Sequence, residues 1–178
     1  MNRHAIDENG IALNAQFIAS PNFDERPSHE ISLIVLHNIS LPPGEYGGNG
    51  IIELFTNQLD PQAHPYYAGI HQHMVSAHFL IRRDGQLMQF VSCLKRAWHA
   101  GVSQWQQRER CNDFSVGIEL EGSDFEAFTE AQYANLQSLL AALQLSYPIQ
   151  AIVGHSDIAP GRKTDPGPFF DWQRIITP

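Results

Sequence analysis

The stretch Ser32-Leu33-Ile34-Val35-Leu36-His37 decides the fold, because it is a continuous apolar run that ends in an imidazole. Such a run, β-branched at its centre, is typical of a strand buried on both faces of a sheet. The stretch Ala151-Ile152-Val153-Gly154-His155 repeats the pattern. Strand ends at one edge of a sheet are rigid and close to solvent. Both histidines are therefore predicted to lie where a metal or a catalytic group is held firmly.

Apolar periodicity and turn residues predict the elements around these two strands. They are a helix over 51–59 capped near Asn49, a hairpin over 77–91 with a two-residue turn at Asp84-Gly85, a strand over 115–121, and a helix from a Thr129/Gln132 capping box to just before Pro148. The glycine-rich segment 44–50 is predicted to be a mobile loop. Because hairpins pair antiparallel and helical crossovers pair parallel, we predict an α/β fold with a mixed sheet.

Composition limits the class of protein. The 178 residues, of which 43% are apolar, fit one domain. Eleven basic and 19 acidic residues give a net charge of −8, which argues against nucleic acid as a partner. The segment from Arg82 to Arg110 is nevertheless basic, which suits either a small anionic ligand or a solvated face.

The chain carries no sign of a membrane or an oxidising compartment. No stretch approaches the roughly 20 apolar residues of a membrane span. Residues 1–10 are too polar for a secretory leader, and Cys93 and Cys111 are expected to be free thiols. We therefore expect a cytoplasmic protein.

Asp165 follows His155 by ten residues, in a loop stiffened by proline and glycine. Two imidazoles and one carboxylate make a three-ligand zinc site with an open fourth position, the arrangement of hydrolytic zinc. His37, His155 and Asp165 are therefore candidate metal ligands. The alternative is that both histidines are satisfied core residues and that Asp165 caps a turn.

Two further side chains extend this candidate site. Glu119 shares a strand face with Gly117, which leaves room for a ligand, and its carboxylate could take a proton from water. Lys163 lies two residues from Asp165, where an ammonium could stabilise a developing oxyanion. Taken singly, Glu119 could equally be a solvated strand residue and Lys163 a loop charge.

A second histidine cluster competes with this site. His71, His73 and His78 are close in sequence, but no carboxylate or cysteine lies between Asp60 and Asp84 to complete a metal site. We interpret them as surface or substrate-facing histidines. Nucleophile signatures are weaker still, since the chain has no G-x-S-x-G elbow.

Long blocks of the chain resemble the zinc-dependent N-acetylmuramoyl-L-alanine amidases, a family related to phage amidases and peptidoglycan recognition proteins. These blocks span residues 35–44, 60–65, 75–78, 95–103, 108–115, 117–122 and 154–168. The resemblance implies a single amidase domain over 1–178, with its core at about 21–172, in which helices flank a mixed sheet. It breaks at Met74, where enteric members carry an arginine.

The resemblance also implies roles for particular residues. His37, His155 and Asp165 would bind Zn²⁺, Glu119 would be the general base and Lys163 would stabilise the oxyanion. Asn38, Trp98 and Arg110 would line the muropeptide site. The implied reaction is hydrolysis of the amide between 1,6-anhydro-N-acetylmuramic acid and L-alanine, by a monomer acting in cytoplasmic peptidoglycan recycling. Two alternatives remain: an exported amidase acting on intact cell wall, and a non-catalytic muropeptide sensor.

Overall fold

A computed structural model describes residues 4–175; residues 1–3 and 176–178, the ends of the predicted domain, lie outside the described part. Six strands form the main sheet: β1 (Gln16–Phe17), β3 (Leu33–Ile39), β4 (Phe79–Ile81), β5 (Leu87–Gln89), β9 (Ser115–Glu121) and β10 (Ala151–Gly154). Four shorter strands pair outside it: β2 (Phe23–Glu25) with β6 (Lys95–Ala97), and β7 (Gln104–Trp105) with β8 (Arg108–Glu109). The helices are α1 (Gly50–Phe55), α2 (Glu130–Ser146) and the single turn α3 (His155–Ile158).

The main sheet has the order β1-β5-β4-β9-β3-β10 and is mixed, as predicted. Strand β3 pairs parallel with both β9 and β10, whereas β4 and β5 form an antiparallel hairpin. The register places His37 opposite Glu119 and Leu36 opposite Gly154, so His155 follows at the level of His37. Strand pairing thus brings three predicted site residues into one row.

The two faces of the sheet have different coverings. Helix α2 packs Tyr133, Leu136, Leu140 and Leu143 against one face, together with Ile34 and Leu36 of β3. Because side chains alternate along a strand, His37 and Glu119 point to the opposite face. A separate apolar cluster under α1 packs part of that second face.

Helix α2 confirms the predicted capping box. The Thr129 hydroxyl accepts a hydrogen bond from the Gln132 N–H at 3.1 Å, and the Gln132 side chain accepts one from the Thr129 N–H at 3.0 Å. The helix ends at Ser146, before Pro148, as expected. Helix α1 is shorter than predicted: it ends at Phe55 because Asn57 adopts a left-handed backbone with φ 58°.

Three local predictions need correction. Asn49 occupies the N-cap position of α1 but makes no side-chain capping bond. Strand β3 continues past His37 to Ile39. The hairpin is closed by three residues rather than two: Arg82 pairs with Gln86, and Gly85 alone has positive φ, at 88°. A three-residue loop with glycine at the left-handed position is a common hairpin closure.

Segment 44–50 makes specific contacts. The Gly47 N–H donates to Glu121 at 2.7 Å, and the Tyr46 hydroxyl donates to Glu126. The predicted mobility of this loop stays a prediction. Within residues 4–175 no helix combines the length and the apolar character needed to cross a membrane.

Replacing Thr129 by alanine should lower the free energy of unfolding by about 1–2 kcal/mol, because the first turn of α2 loses its cap. The same hydroxyl also donates to the Arg83 carbonyl at 2.7 Å, so the substitution also removes the hydrogen bond that attaches the start of α2 to the loop between β4 and β5. Urea denaturation of the variant measures this loss. Ser146→Ala, at the exposed far end of α2, is the matched control and should change stability by less than about 0.5 kcal/mol. Equal stability of the two variants would contradict the capping role.

Candidate metal centre

Three side chains from distant parts of the chain converge at one point. The Nδ1 atoms of His37 and His155 lie 3.0 Å apart, and each lies 2.9–3.0 Å from Oδ2 of Asp165. Both histidines are buried, and Asp165 is 14% exposed. Among the described residues these three form a group able to hold a metal ion, which confirms that the predicted ligands come together.

The hydrogen bond on the outer side of His155 limits the number of protons between the three facing atoms of this group. His155 Nε2 lies 2.9 Å from the Ala100 carbonyl oxygen, which only accepts, so a neutral His155 carries its proton on Nε2. Its Nδ1 then presents a lone pair to Asp165 and to His37. At most one proton, from His37, is available among the three atoms. A cation fits such a cluster, and nitrogen with carboxylate oxygen is a donor set that Zn²⁺ prefers.

Burial and hydrogen bonding together keep His37 and Asp165 in the forms that bind metal. It lowers the pKa of His37 to about 4, although hydrogen bonding to Asp165 acts in the opposite direction. Burial raises the pKa of Asp165, but hydrogen bonds from His155 and His37 outweigh it, so that pKa lies below the usual range. His37 is thus a neutral imidazole and Asp165 a carboxylate at neutral pH.

Glu119 contributes a buried carboxyl group beside this cluster. Its side chain is 8% exposed, and Oε2 is buried without a hydrogen-bond partner within the described residues. Burial raises the pKa of Glu119 well above its ordinary value, and the charge of Asp165 raises it further. Lys163, exposed in the loop before Asp165, acts in the opposite direction on this pKa. A desolvated carboxyl group of this kind is typical of acid–base sites.

The prediction that Gly117 leaves room for a ligand is wrong, because the His99 ring fills the space beside Gly117. A Cβ added at Gly117 would lie 2.5 Å from the His99 ring. His99 Nδ1 lies 3.0 Å from Nε2 of His37, and His99 Nε2 lies 3.2 Å from the Ser115 hydroxyl. Sequence reasoning missed His99, although a glycine on the face of Glu119 signalled that some group approaches the strand there.

Trp98 and Arg110 lie at the two ends of one connected network of hydrogen bonds and ion pairs. The Trp98 indole N–H donates to Asp24 at 3.3 Å, and Arg96 bridges Asp24 to Asp113. Arg110, with a left-handed backbone, pairs with the other oxygen of Asp113 at 3.2 Å and is 69% exposed. The structure therefore links these two residues to each other; their contact with substrate stays a prediction.

Asn38 is also held by neighbours. Its Nδ2 donates to Asp124 at 2.7 Å and to the Pro166 carbonyl at 3.1 Å, next to Asp165. Met74, where the resemblance expects an arginine, is an exposed side chain. The substrate-binding role predicted for Asn38 remains untested.

The histidines of the competing cluster do not share a site. His71 and His73 lie toward solvent, whereas His78 is fully buried, so the interpretation of His78 as a surface or substrate-facing residue is wrong. The Gly117 N–H donates to His78 Nδ1 at 3.0 Å, and His78 Nε2 lies 3.0 Å from the Lys95 carbonyl. His78 therefore supports the strands beneath the site.

Comparisons with known proteins identify the family of this chain. The family model described as N-acetylmuramoyl-L-alanine amidase matches residues 27–168. The chain belongs to the N-acetylmuramoyl-L-alanine amidase family. It is 58% identical over 179 residues to the 1,6-anhydro-N-acetylmuramyl-L-alanine amidase AmpD of Citrobacter freundii, covering 97% of this chain and 95% of that protein.

Solved amidase structures share the fold. The crystal structure of a selenomethionine derivative of AmpD has a TM-score of 0.93 and 57% identity, with 96% of each chain covered. AmiD from Escherichia coli, solved in complex with the substrate anhydro-N-acetylmuramic acid-L-Ala-D-γ-Glu-L-Lys, has a TM-score of 0.61 and 29% identity. That match covers 96% of this chain and 63% of AmiD. The predicted mixed-sheet amidase fold is confirmed.

The buried His78 should make this amidase less stable in acid. Burial and the charge of Arg26 lower the pKa of His78 to about 3, whereas an unfolded histidine titrates near 6.5. Between these values the unfolded state binds the proton, so His78 costs about 1.4 kcal/mol of stability for each pH unit lowered. His78→Asn, whose Oδ1 can still accept from Gly117, should show a shallower loss of stability between pH 6 and pH 4.

Urea denaturation of metal-free protein at several pH values measures this difference. Above pH 7.5 His78 is neutral in both states, so the stability difference between the two proteins should not vary with pH. Parallel stability curves across the acid range would show that His78 accepts a proton in the folded protein.

Proposed function

We propose that this chain is a zinc-dependent amidase that hydrolyses the bond between 1,6-anhydro-N-acetylmuramic acid and the L-alanine of muropeptides. The single observation that carries the proposal is the convergence of His37 Nδ1, His155 Nδ1 and Asp165 Oδ2 within 3.0 Å of one another. Glu119 lies in the same strand row. Non-catalytic members of related families typically lack part of this ligand set, so a complete set favours an enzyme over a sensor.

His37, His155 and Asp165 would hold the Zn²⁺ ion. When bound, it supplies a Lewis acid that polarises the amide carbonyl and makes water a nucleophile at neutral pH. The chain provides the remaining chemistry. The free oxygen of Glu119 accepts the proton of the attacking water and passes it to the departing amine of L-alanine. The Lys163 ammonium stabilises the negative charge that develops on the carbonyl oxygen.

Substrate recognition is assigned to the rim of this site. Asn38 borders Asp165 through the Pro166 carbonyl, and Trp98 precedes His99. The Arg110 guanidinium is exposed and therefore available to a carboxylate of the stem peptide. AmpD of C. freundii is named for its action on 1,6-anhydro-N-acetylmuramyl-L-alanine, which supports an anhydro-muropeptide as substrate.

The cellular setting follows from this substrate. Anhydro-muropeptides are small and anionic, and Arg110 is the most exposed base of segment 82–110, whose other surface bases pair with carboxylates of the chain. We place the enzyme in the cytoplasm as a monomer that recycles peptidoglycan, with neither nucleic acid nor membrane as a partner.

Purified protein should cleave an anhydro-muropeptide at the lactyl–alanine amide, and removal of zinc by a chelator should abolish cleavage until zinc is restored. Mass spectrometry of the digest measures this directly. Polymeric cell wall should be cleaved much more slowly, since the recycled substrate is a soluble fragment. Undiminished cleavage after complete zinc removal would refute the metal mechanism. A preference for polymeric wall would favour the exported amidase, and tight binding without cleavage the sensor.

Two variants separate metal binding from proton transfer. Glu119→Gln should retain zinc and lose about 10²–10⁴-fold in kcat, because the proton acceptor is gone. His155→Ala should lose the metal itself, as measured by elemental analysis. Full zinc content in His155→Ala would show that the ligand assignment is wrong.

Lys163→Met should lower kcat by about 10²–10³-fold, the usual effect of removing one oxyanion-stabilising group. The chain has one other lysine, Lys95, which pairs with Glu25 on the β2–β6 sheet. Lys95→Met is therefore a matched control of the same charge change and should keep its turnover. Steady-state kinetics on the anhydro-muropeptide compare the two, and equal kcat values would remove Lys163 from the mechanism.

A further inference from the structure

One short segment supplies the outer hydrogen-bond partner of both ligating histidines. His155 Nε2 donates to the carbonyl of Ala100 at 2.9 Å, and His37 Nε2 lies 3.0 Å from Nδ1 of His99. Outer partners of this kind fix the ring orientation and the tautomer of a metal-binding histidine. The two partners differ, because a carbonyl oxygen only accepts whereas an imidazole nitrogen either donates or accepts.

The segment is itself held firmly against the site. The side-chain oxygen of Asn112 accepts from the N–H groups of both His99 and Ala100, at 3.2 and 2.9 Å. Arg162 donates to the Ala100 carbonyl at 2.9 Å. The His99 ring fits against the bare backbone of Gly117. These contacts fix the place of His99 Nδ1 relative to His37.

The single ring proton of a neutral His37 can lie on either Nδ1 or Nε2. A proton on Nδ1 would be donated to Asp165 Oδ2 at 2.9 Å, and a proton on Nε2 would be donated to His99 at 3.0 Å. Only the second choice leaves the Nδ1 lone pair free for a cation. His99 can accept, because the proton that this tautomer carries on Nε2 can be donated to the Ser115 hydroxyl, 3.2 Å away on the far side of the ring.

We propose that His99 is a positioning residue that holds the proton of His37 on Nε2 and so keeps Nδ1 available to the metal. This inference rests on the proposed zinc function. His155 needs no such residue, since the Ala100 carbonyl already dictates its tautomer. Without an acceptor at position 99, the His37 proton moves to Nδ1, pairs with Asp165 and competes with the cation for both ligands.

Zinc affinity of the complete chain tests the proposal. His99→Leu fills a similar space without an acceptor and should bind zinc about 10–100-fold more weakly, the usual effect of losing an outer partner. In His99→Asn the side-chain oxygen takes the place of Nδ1, and affinity should recover to within a few-fold of the wild type. Competition with a fluorescent zinc chelator measures all three dissociation constants.

The protonation pattern provides a readout that a merely structural role would not move. Nitrogen-15 NMR of zinc-loaded wild-type protein should show the proton of both His37 and His99 on Nε2. In metal-free His99→Leu, the His37 proton should be on Nδ1. A His99 proton on Nδ1 in the zinc-loaded wild type would overturn the proposal, and this measurement holds even if His99→Leu fails to fold.

Gly117→Ala offers an independent route that removes no polar group from the chain. Its added Cβ would lie 2.5 Å from the His99 ring and displace it, so zinc affinity should fall. Gly122→Ala is the matched control, since its Cβ would meet the Phe128 ring at the same 2.5 Å on the α2 side of the sheet. Gly122→Ala should lose stability but keep its zinc affinity.

The outcomes separate the two proposals. If the wild type binds no zinc, the proposed function fails and this inference fails with it. If the wild type binds zinc and His99→Leu binds it equally well, the role of His99 is refuted while the proposed function stands. Weaker binding by His99→Leu with recovery in His99→Asn supports both.

Discussion

The parallel pairing of β3 with β9 and β10 is the constraint on which the site depends. It sets His37 opposite Glu119 and brings His155, which follows β10, to the same level. A register slip of one residue would turn His37 toward α2 and out of the site. The register is strongly specified because Ile34, Leu36 and Ile118 must face the α2 side, where they are fully buried.

Burial and metal chemistry support each other in this fold. Removal from water favours the neutral form of an imidazole, and a neutral imidazole is the form that ligates a metal. The same desolvation makes the Glu119 carboxylate more basic, and one of its oxygens has no hydrogen-bond partner in the described part of the chain. Among the described residues, Glu119 Oε2 is one of three buried side-chain atoms without a hydrogen-bond partner, the others being His4 Nδ1 and Arg82 Nε. Polar groups elsewhere in the core, such as Asn22 and Gln89, have several hydrogen-bond partners.

The rim of the site is built as a linked frame rather than as separate residues. Arg96 joins Asp24 to Asp113, and through them orients Trp98 and Arg110. The two residues after Trp98 carry the outer hydrogen-bond partners of the two clustered histidines: the His99 side chain for His37 and the Ala100 carbonyl for His155. Because one segment contains both Trp98, predicted to bind substrate, and the outer partners of His37 and His155, a displacement of Trp98 would also displace those partners.

The sequence alone determined the elements with strong local signals and singled out the two histidines that follow apolar runs. The sequence predicts the capping box of α2, the hairpin, and the strands that position His37 and His155, because each is encoded within a few residues. The strands β2, β6, β7 and β8 were not predicted, because they are too short to show an apolar periodicity. Only the tertiary structure decided that His99 fills the space at Gly117 and that His78 is buried, since both depend on packing between segments far apart in the chain.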